Sequence, residues 1–253
     1  MTFRPPRPAI RLFAAGSLRH VLPALVSAFS ETSGVTIDIQ LGPAGLLRER
    51  IEDGERPDLF LSANLAHPAR LAEQGLAFPP VIFARNTMAA VVRSDAGFTT
   101  SNFIDRLLDP AIGIATSTPQ KDPSGDYAWG IFRRAEKLRP GSFAILDAKA
   151  QKLVGGSLPA SSAGGYDPIA TALASGTAHI FLGYLTGLRG LTKGTPGTRL
   201  LNIPSNLSVV PEYSLAALKD CSLAAMTFSL FILSVTGQKL LRDFGFKPVA
   251  LSQ

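Results

Sequence analysis

The stretch Phe13-Ala14-Ala15-Gly16-Ser17-Leu18-Arg19-His20, FAAGSLRH, decides how this chain is read. An apolar run from Ile10 to Ala15 predicts a buried strand. Leu18, Val21, Leu22, Leu25 and Phe29 then recur at helical spacing, which predicts a helix from about Leu18 to Thr32. A strand that turns directly into a helix leaves backbone N–H groups without intrahelical partners at the junction. The positive end of the helix dipole lies there too, so the junction suits an anion. Ser17 has two readings at this point: an N-cap for its own helix, or a hydroxyl offered to a ligand.

The pattern repeats outward from this junction. Residues 35–41 alternate like a strand, and a helix is expected from Pro43 to about Asp53. Residues 58–63 read as a buried strand, and Asn64 as the cap of a helix running to Gln74. Such strand–helix alternation argues for parallel, doubly wound sheets. A second block begins after Pro79-Pro80, with strands in TMAAVVRS and AIGIATS and a short helix near Phe103–Leu108. A longer helix, capped by Asp122 or Ser124, runs to Leu138. Asp167 caps a further helix with Pro168 in its first turn, and a strand ends at Tyr184. The tail reads as one strand, YSLAALKD, followed by two helices that return to the first block. The expected fold class is α/β with two lobes, each a mostly parallel sheet flanked by helices. Lobe 1 is discontinuous, residues 1–82 and 203–253, and lobe 2 is residues 83–202. Ligands of such folds sit at the carboxyl ends of strands and in the cleft between lobes.

Composition narrows the function. The chain has 253 residues, 46% of them hydrophobic and 17% charged, which is ample for a packed core. The net charge of +6 is spread without a basic run or interleaved aromatics, which argues against nucleic-acid binding. The single cysteine, Cys221, excludes an intrachain disulfide and a Cys-based metal cluster. The N-terminus shows no apolar core of signal-peptide length, and the most apolar later stretch, residues 224–235, is too short to span a bilayer. A Ser17–His20 pair has no carboxylate to orient it, and no nucleophile elbow, Walker loop or dinucleotide fingerprint occurs. The chain is therefore read as a binding module and not as an enzyme.

The strand-to-helix junction recurs at Gly42-Pro43-Ala44-Gly45, Pro123-Ser124-Gly125 and Gly164-Gly165-Tyr166-Asp167-Pro168, while Tyr184 ends a strand. Fixed N–H dipoles with a few hydroxyls make an oxyanion cage without compulsory counter-charges. The segments LFAAGSLRHVLPALVSAF, LLRERIEDGERPDLFLSAN and DPSGDYA, and the tail YSLAALKDCSLAAMTFSLFILSVTGQKLLRDFGFKPV, occur in one order. In that order they resemble the molybdate-binding component of ABC importers, among the type II periplasmic solute-binding proteins. The resemblance covers residues 10–249 or so.

It implies a protein that captures molybdate or tungstate as an intact oxyanion, with no other cofactor and no metal bound directly by side chains. It further implies a monomer that delivers its ligand to a membrane permease from the periplasm. By resemblance the ligand contacts are the Ser17 hydroxyl, the Ala44 and Ser124 N–H groups, an N–H near Tyr166 and the Tyr184 hydroxyl. Gly16, Pro43, Gly45 and Arg19 are additional candidate contacts. Ala44 departs from the family, which carries a serine hydroxyl there; Ser124, Ser161 or Ser162 are candidate replacements. Arg19 and Arg48, just inside the first two helices, are candidates for a more demanding, organic anion. A cytoplasmic ligand-sensing module is the remaining alternative.

Overall fold

The computed structural model describes residues 9–155 and 167–250. The chain opens with β1 (Ile10–Ala15), a single 3-10 turn (Gly16–Leu18), α1 (Leu22–Ser33), β2 (Ile37–Gly42) and α2 (Ala44–Glu52). β3 (Leu59–Ser62), α3 (Ala66–Glu73) and β4 (Val81–Arg85) follow. Next come β5 (Met88–Arg93), α4 (Phe103–Leu108), β6 (Ile114–Ser117), α5 (Pro123–Leu138), α6 (Ser142–Lys149) and β7 (Ala150–Val154). Then α7 (Pro168–Ser175), β8 (Ile180–Tyr184), α8 (Leu185–Gly194) and β9 (Thr198–Asn202) are formed. The tail contributes β10 (Glu212–Ala217), α9 (Leu223–Leu233), α10 (Val235–Asp243) and β11 (Lys247–Pro248).

These elements form two compact units. One comprises the chain up to Arg85 and from Glu212 onward; the other is Asn86–Pro211. The return crossing therefore falls at residues 211/212, not at 202/203 as the sequence suggested. The reason is local: Leu207 is fully buried, and Val209 packs against Gly130 of α5, so the segment after β9 stays with the second unit.

Each unit is built on one sheet with helices packed on it. The first has strand order β11-β4-β10-β3-β1-β2, the second β7-β6-β8-β5-β9. Central strands are buried on both faces, which explains the mostly apolar runs of β1, β3, β5 and β8, broken in β1 only by the exposed Arg11 near its start. The edge strands β2, β7 and β9 are only partly buried. The sheets are mixed, and this corrects the expectation of mostly parallel ones. β1 pairs in parallel with β2 and β3, and β6 with β7 and β8. β10 runs antiparallel to β3 and β4, and β5 antiparallel to β8 and β9. Both antiparallel strands begin just after the chain passes from one unit to the other. No helical crossover within the sheet leads into them, so nothing imposes a parallel direction.

The C-terminal helices do return to the first unit. Phe29 of α1 meets Phe228 and Phe231 of α9, with ring centroids 5.0 and 5.6 Å apart. The tail motif Ser234-Val235-Thr236-Gly237-Gln238 is a structural clamp there. The Ser234 hydroxyl accepts the Gly237 N–H at 3.2 Å and so caps α10. A side chain at Gly237 would stand 2.3 Å from the Phe231 carbonyl oxygen, so only glycine lets α10 start this close to the end of α9. Among the described residues, no single helix is long and apolar enough to cross a membrane.

Candidate functional site

In the first unit the carboxyl ends of the parallel strands lie side by side, because Ala15 of β1 is in register with Gly42 of β2. The 3-10 turn Gly16–Leu18 continues from the first strand, and the start of α2 from the second. The helix expected from Leu18 begins only at Leu22, one residue before Pro23. The Arg19 and Val21 N–H groups are tied into tight turns by the Gly16 and Leu18 carbonyls. Pro23, with its backbone angle already fixed for a helical first turn, marks where the regular helix starts.

Ser17 therefore does not cap a helix. Its Oγ instead accepts a hydrogen bond of 2.8 Å from the Tyr213 hydroxyl, which arrives from β10. Tyr213 is completely buried. Its ring meets Phe83 and Phe246 edge-on, at interplanar angles of 85° and 82°. Sequence reasoning missed Tyr213, since 196 positions separate the two residues and no local pattern links them.

The start of α2 is the second feature of this edge. Pro43 occupies the cap position and supplies no side-chain bond, and the first intrahelical partner is the Leu47 N–H on the Pro43 carbonyl. The N–H groups of Ala44, Gly45 and Leu46 point out of the helix with no intrahelical acceptor. Ala44 and Gly45 are buried. Ala44 carries no hydroxyl, so on this edge the Ser17 hydroxyl, on the turn after the neighbouring strand, is the one held by Tyr213.

The two arginines part company. Arg48 is paired with Glu49 at 3.1 Å and Glu52 at 3.3 Å, and its charge is spent within α2. Arg19 is exposed and folds back so that its Nε donates to the Gly16 carbonyl at 2.8 Å. Among the described residues Arg19 has no carboxylate partner. Beside Arg48, His67 is pushed down to about 4, by burial first and then by the Arg48 charge, so its imidazole is neutral at pH 7. Burial alone would raise Glu52, but hydrogen bonds from Gln74 and Arg70 outweigh it and hold this carboxyl below its ordinary range.

The second unit presents a different edge. Asp122 caps α5 by accepting the Ser124 N–H at 3.0 Å. This corrects the expectation that the Ser124 N–H serves an anion, because a neighbouring carboxylate already takes it. Asp167 likewise takes the Ile169 and Ala170 N–H groups at the start of α7, at 2.9 and 3.2 Å. Both caps lie within two or three residues of the donors they serve, a short-range pattern that the sequence displays. Tyr184 ends β8 as expected and is buried, with its ring edge-on to Tyr127 at 6.2 Å between centroids. Tyr166, Ser161 and Ser162 lie outside the described residues. Among the described residues no cluster of His, Cys, Asp and Glu is arranged to hold a metal ion.

The first unit thus carries a helix start without a side-chain cap and, on the turn after the neighbouring strand, a hydroxyl held by Tyr213. The chain belongs to the bacterial extracellular solute-binding proteins, whose family model matches residues 10–247. An uncharacterized protein of Pasteurella multocida (strain Pm70) is 34% identical over 240 residues, covering 94% of this chain and 98% of its own. The fold is similar to the sulfate-binding protein SubI of Mycobacterium tuberculosis, with a TM-score of 0.78 and 19% identity over 96% of this chain and 88% of that one. It is also similar to the periplasmic molybdate-binding protein of Azotobacter vinelandii, with a TM-score of 0.71 and 19% identity over 96% of this chain and all of that one.

Proposed function

We propose that this solute-binding protein captures a tetrahedral oxyanion in the periplasm and delivers it to an ABC importer's permease. Molybdate and tungstate are the first candidates and sulfate the next. The observation that carries this reading is the first unit's edge, where the uncapped start of α2 and the turn that holds Ser17 follow the in-register strand ends Gly42 and Ala15. Backbone dipoles and a hydroxyl stabilise an anion without a bound cation, and their fixed spacing selects by size. The molybdate- and sulfate-binding proteins of similar fold support the ligand class.

Arg19 favours a second reading, since it holds an exposed guanidinium over Gly16 with no carboxylate partner among the described residues. A small organic anion with an additional carboxylate or phosphate would use that charge.

The test is Ser17→Ala, titrated calorimetrically with molybdate and sulfate. A hydrogen bond to a charged group contributes about 1.5–3 kcal/mol. The expected loss of affinity is therefore roughly tenfold to a hundredfold. An unaltered Kd for the preferred anion would remove Ser17 from the site and the reading with it.

A further inference from the structure

Resting on the oxyanion reading above, we propose that Tyr213 is a positioning residue that biases the Ser17 hydroxyl toward donating to the ligand. A serine hydroxyl has one hydrogen to give and two lone pairs to receive with. Left to rotate, it serves a donor or an acceptor equally well. Here the Tyr213 O–H donates to Ser17 Oγ at 2.8 Å and fills one of the two accepting positions. The Ser17 hydrogen is thereby turned away from Tyr213 and free to be given to a ligand.

The rigidity of Tyr213 makes this a fixed feature of the site. The ring is fully buried and wedged edge-on between Phe83 and Phe246. The β10–β4 pairing shifts register between Tyr213 and Ser214, which face Ala84 and Ile82 and pass over Phe83. Such an irregularity re-aims a side chain relative to a regular strand. The phenol thereby reaches the 3-10 turn beyond β1, although β3 lies between β10 and β1 in the sheet.

A hydroxyl biased toward donation favours anions whose oxygens all accept, such as molybdate and sulfate. It serves less well an anion that carries its own O–H, such as hydrogen phosphate, because one oxygen fewer can accept and that O–H finds a weaker acceptor at Ser17. Tyr213 is thus a determinant of selectivity by protonation state, acting through Ser17.

The experiment is a double-mutant cycle with Tyr213→Phe and Ser17→Ala, titrated with molybdate, sulfate and phosphate. Phenylalanine keeps the ring packing and removes only the hydroxyl. Tyr213→Phe should weaken the preferred fully deprotonated anion about tenfold. It should leave hydrogen phosphate unchanged or tighter, so that the ratio between the two narrows. In the Ser17→Ala background the same change should alter affinity less than twofold, the signature of one residue acting through the other. Equal weakening of every anion, independent additive losses or no change would each overturn the proposal while leaving the oxyanion reading standing. Binding of none of the three anions by the unsubstituted protein would overturn both. Should Tyr213→Phe fail to fold, a ring-fluorinated tyrosine at position 213 keeps the shape and donates more strongly. It should tighten the preferred anion and widen the ratio to phosphate; an unchanged ratio overturns the proposal.

Discussion

Replacing Gln238 by alanine should lower the stability of the first unit by about 4 kcal/mol, the largest effect expected of a single substitution in this chain. Gln238 is wholly buried, and its amide spends both ends. Its Nε2 donates to the Phe83 carbonyl at 2.9 Å and to the Ile232 carbonyl at 3.0 Å, while Oε1 accepts the Val249 N–H at 2.7 Å. Phe83 is the residue passed over in the β10–β4 register shift, so its carbonyl depends on this donor. Truncation strands these backbone groups, each at roughly 1–3 kcal/mol, and opens a cavity as well. Calorimetry should show a melting transition lowered by on the order of 10 °C. Gln238→Glu is the matched control. It keeps the volume and the acceptor but cannot donate to either carbonyl, and it should be comparably damaging. A shift of only a degree or two in both variants would mean that water replaces the amide without loss.

Gly125→Ala should cost at least about 3 kcal/mol, at the upper end of overpacking effects. A methyl group there would stand 2.6 Å from the Pro119 nitrogen, the Ser117 oxygen and the Thr118 carbonyl carbon. All three are backbone atoms and cannot swing away like the end of a long side chain. The start of α5 would have to retreat from the carboxyl end of β6, and the Asp122 cap would go with it. The expected result in urea unfolding is an earlier transition assigned to the second unit, with the first unit's transition unmoved. A Gly125→Ala protein as stable as its parent would show that the loop at residues 117–119 is softer than its geometry implies.

The parts of the fold legible in the sequence are those governed by neighbours along the chain. β1 reads directly because a central strand is buried on both faces, here from Leu12 to Ala15. Asp167 reads as a cap, and Asp122 as one of two candidates, because each serves N–H groups within three residues. The missed elements are the weakly patterned ones. β7 and β9 are half-buried edge strands, and α8 carries Gly187, Gly190 and Gly194. Strand direction in β5 and β10 was hidden because it is set by partners far away in sequence.

The site divides in the same way. The glycine and serine after β1 and the bare start of α2 are local features, and both were visible. What Ser17 does was not, since it depends on Tyr213 across the whole length of the chain. The Ser124 N–H was misread for the opposite reason. Its aspartate cap stands two residues upstream, a local feature that takes the N–H before any ligand.

The most direct measurement is the thermal unfolding of ligand-free protein with molybdate, tungstate, sulfate and phosphate, each at about 1 mM, against a chloride control. An anion bound with micromolar affinity adds about 4 kcal/mol at that concentration. For a chain of this size the midpoint should rise by on the order of 10 °C. The expected result is a rise of that size with at least one fully deprotonated oxyanion and a clearly smaller one with phosphate. Midpoints that coincide with chloride for all four anions would contradict an oxyanion site at Ser17 and Ala44.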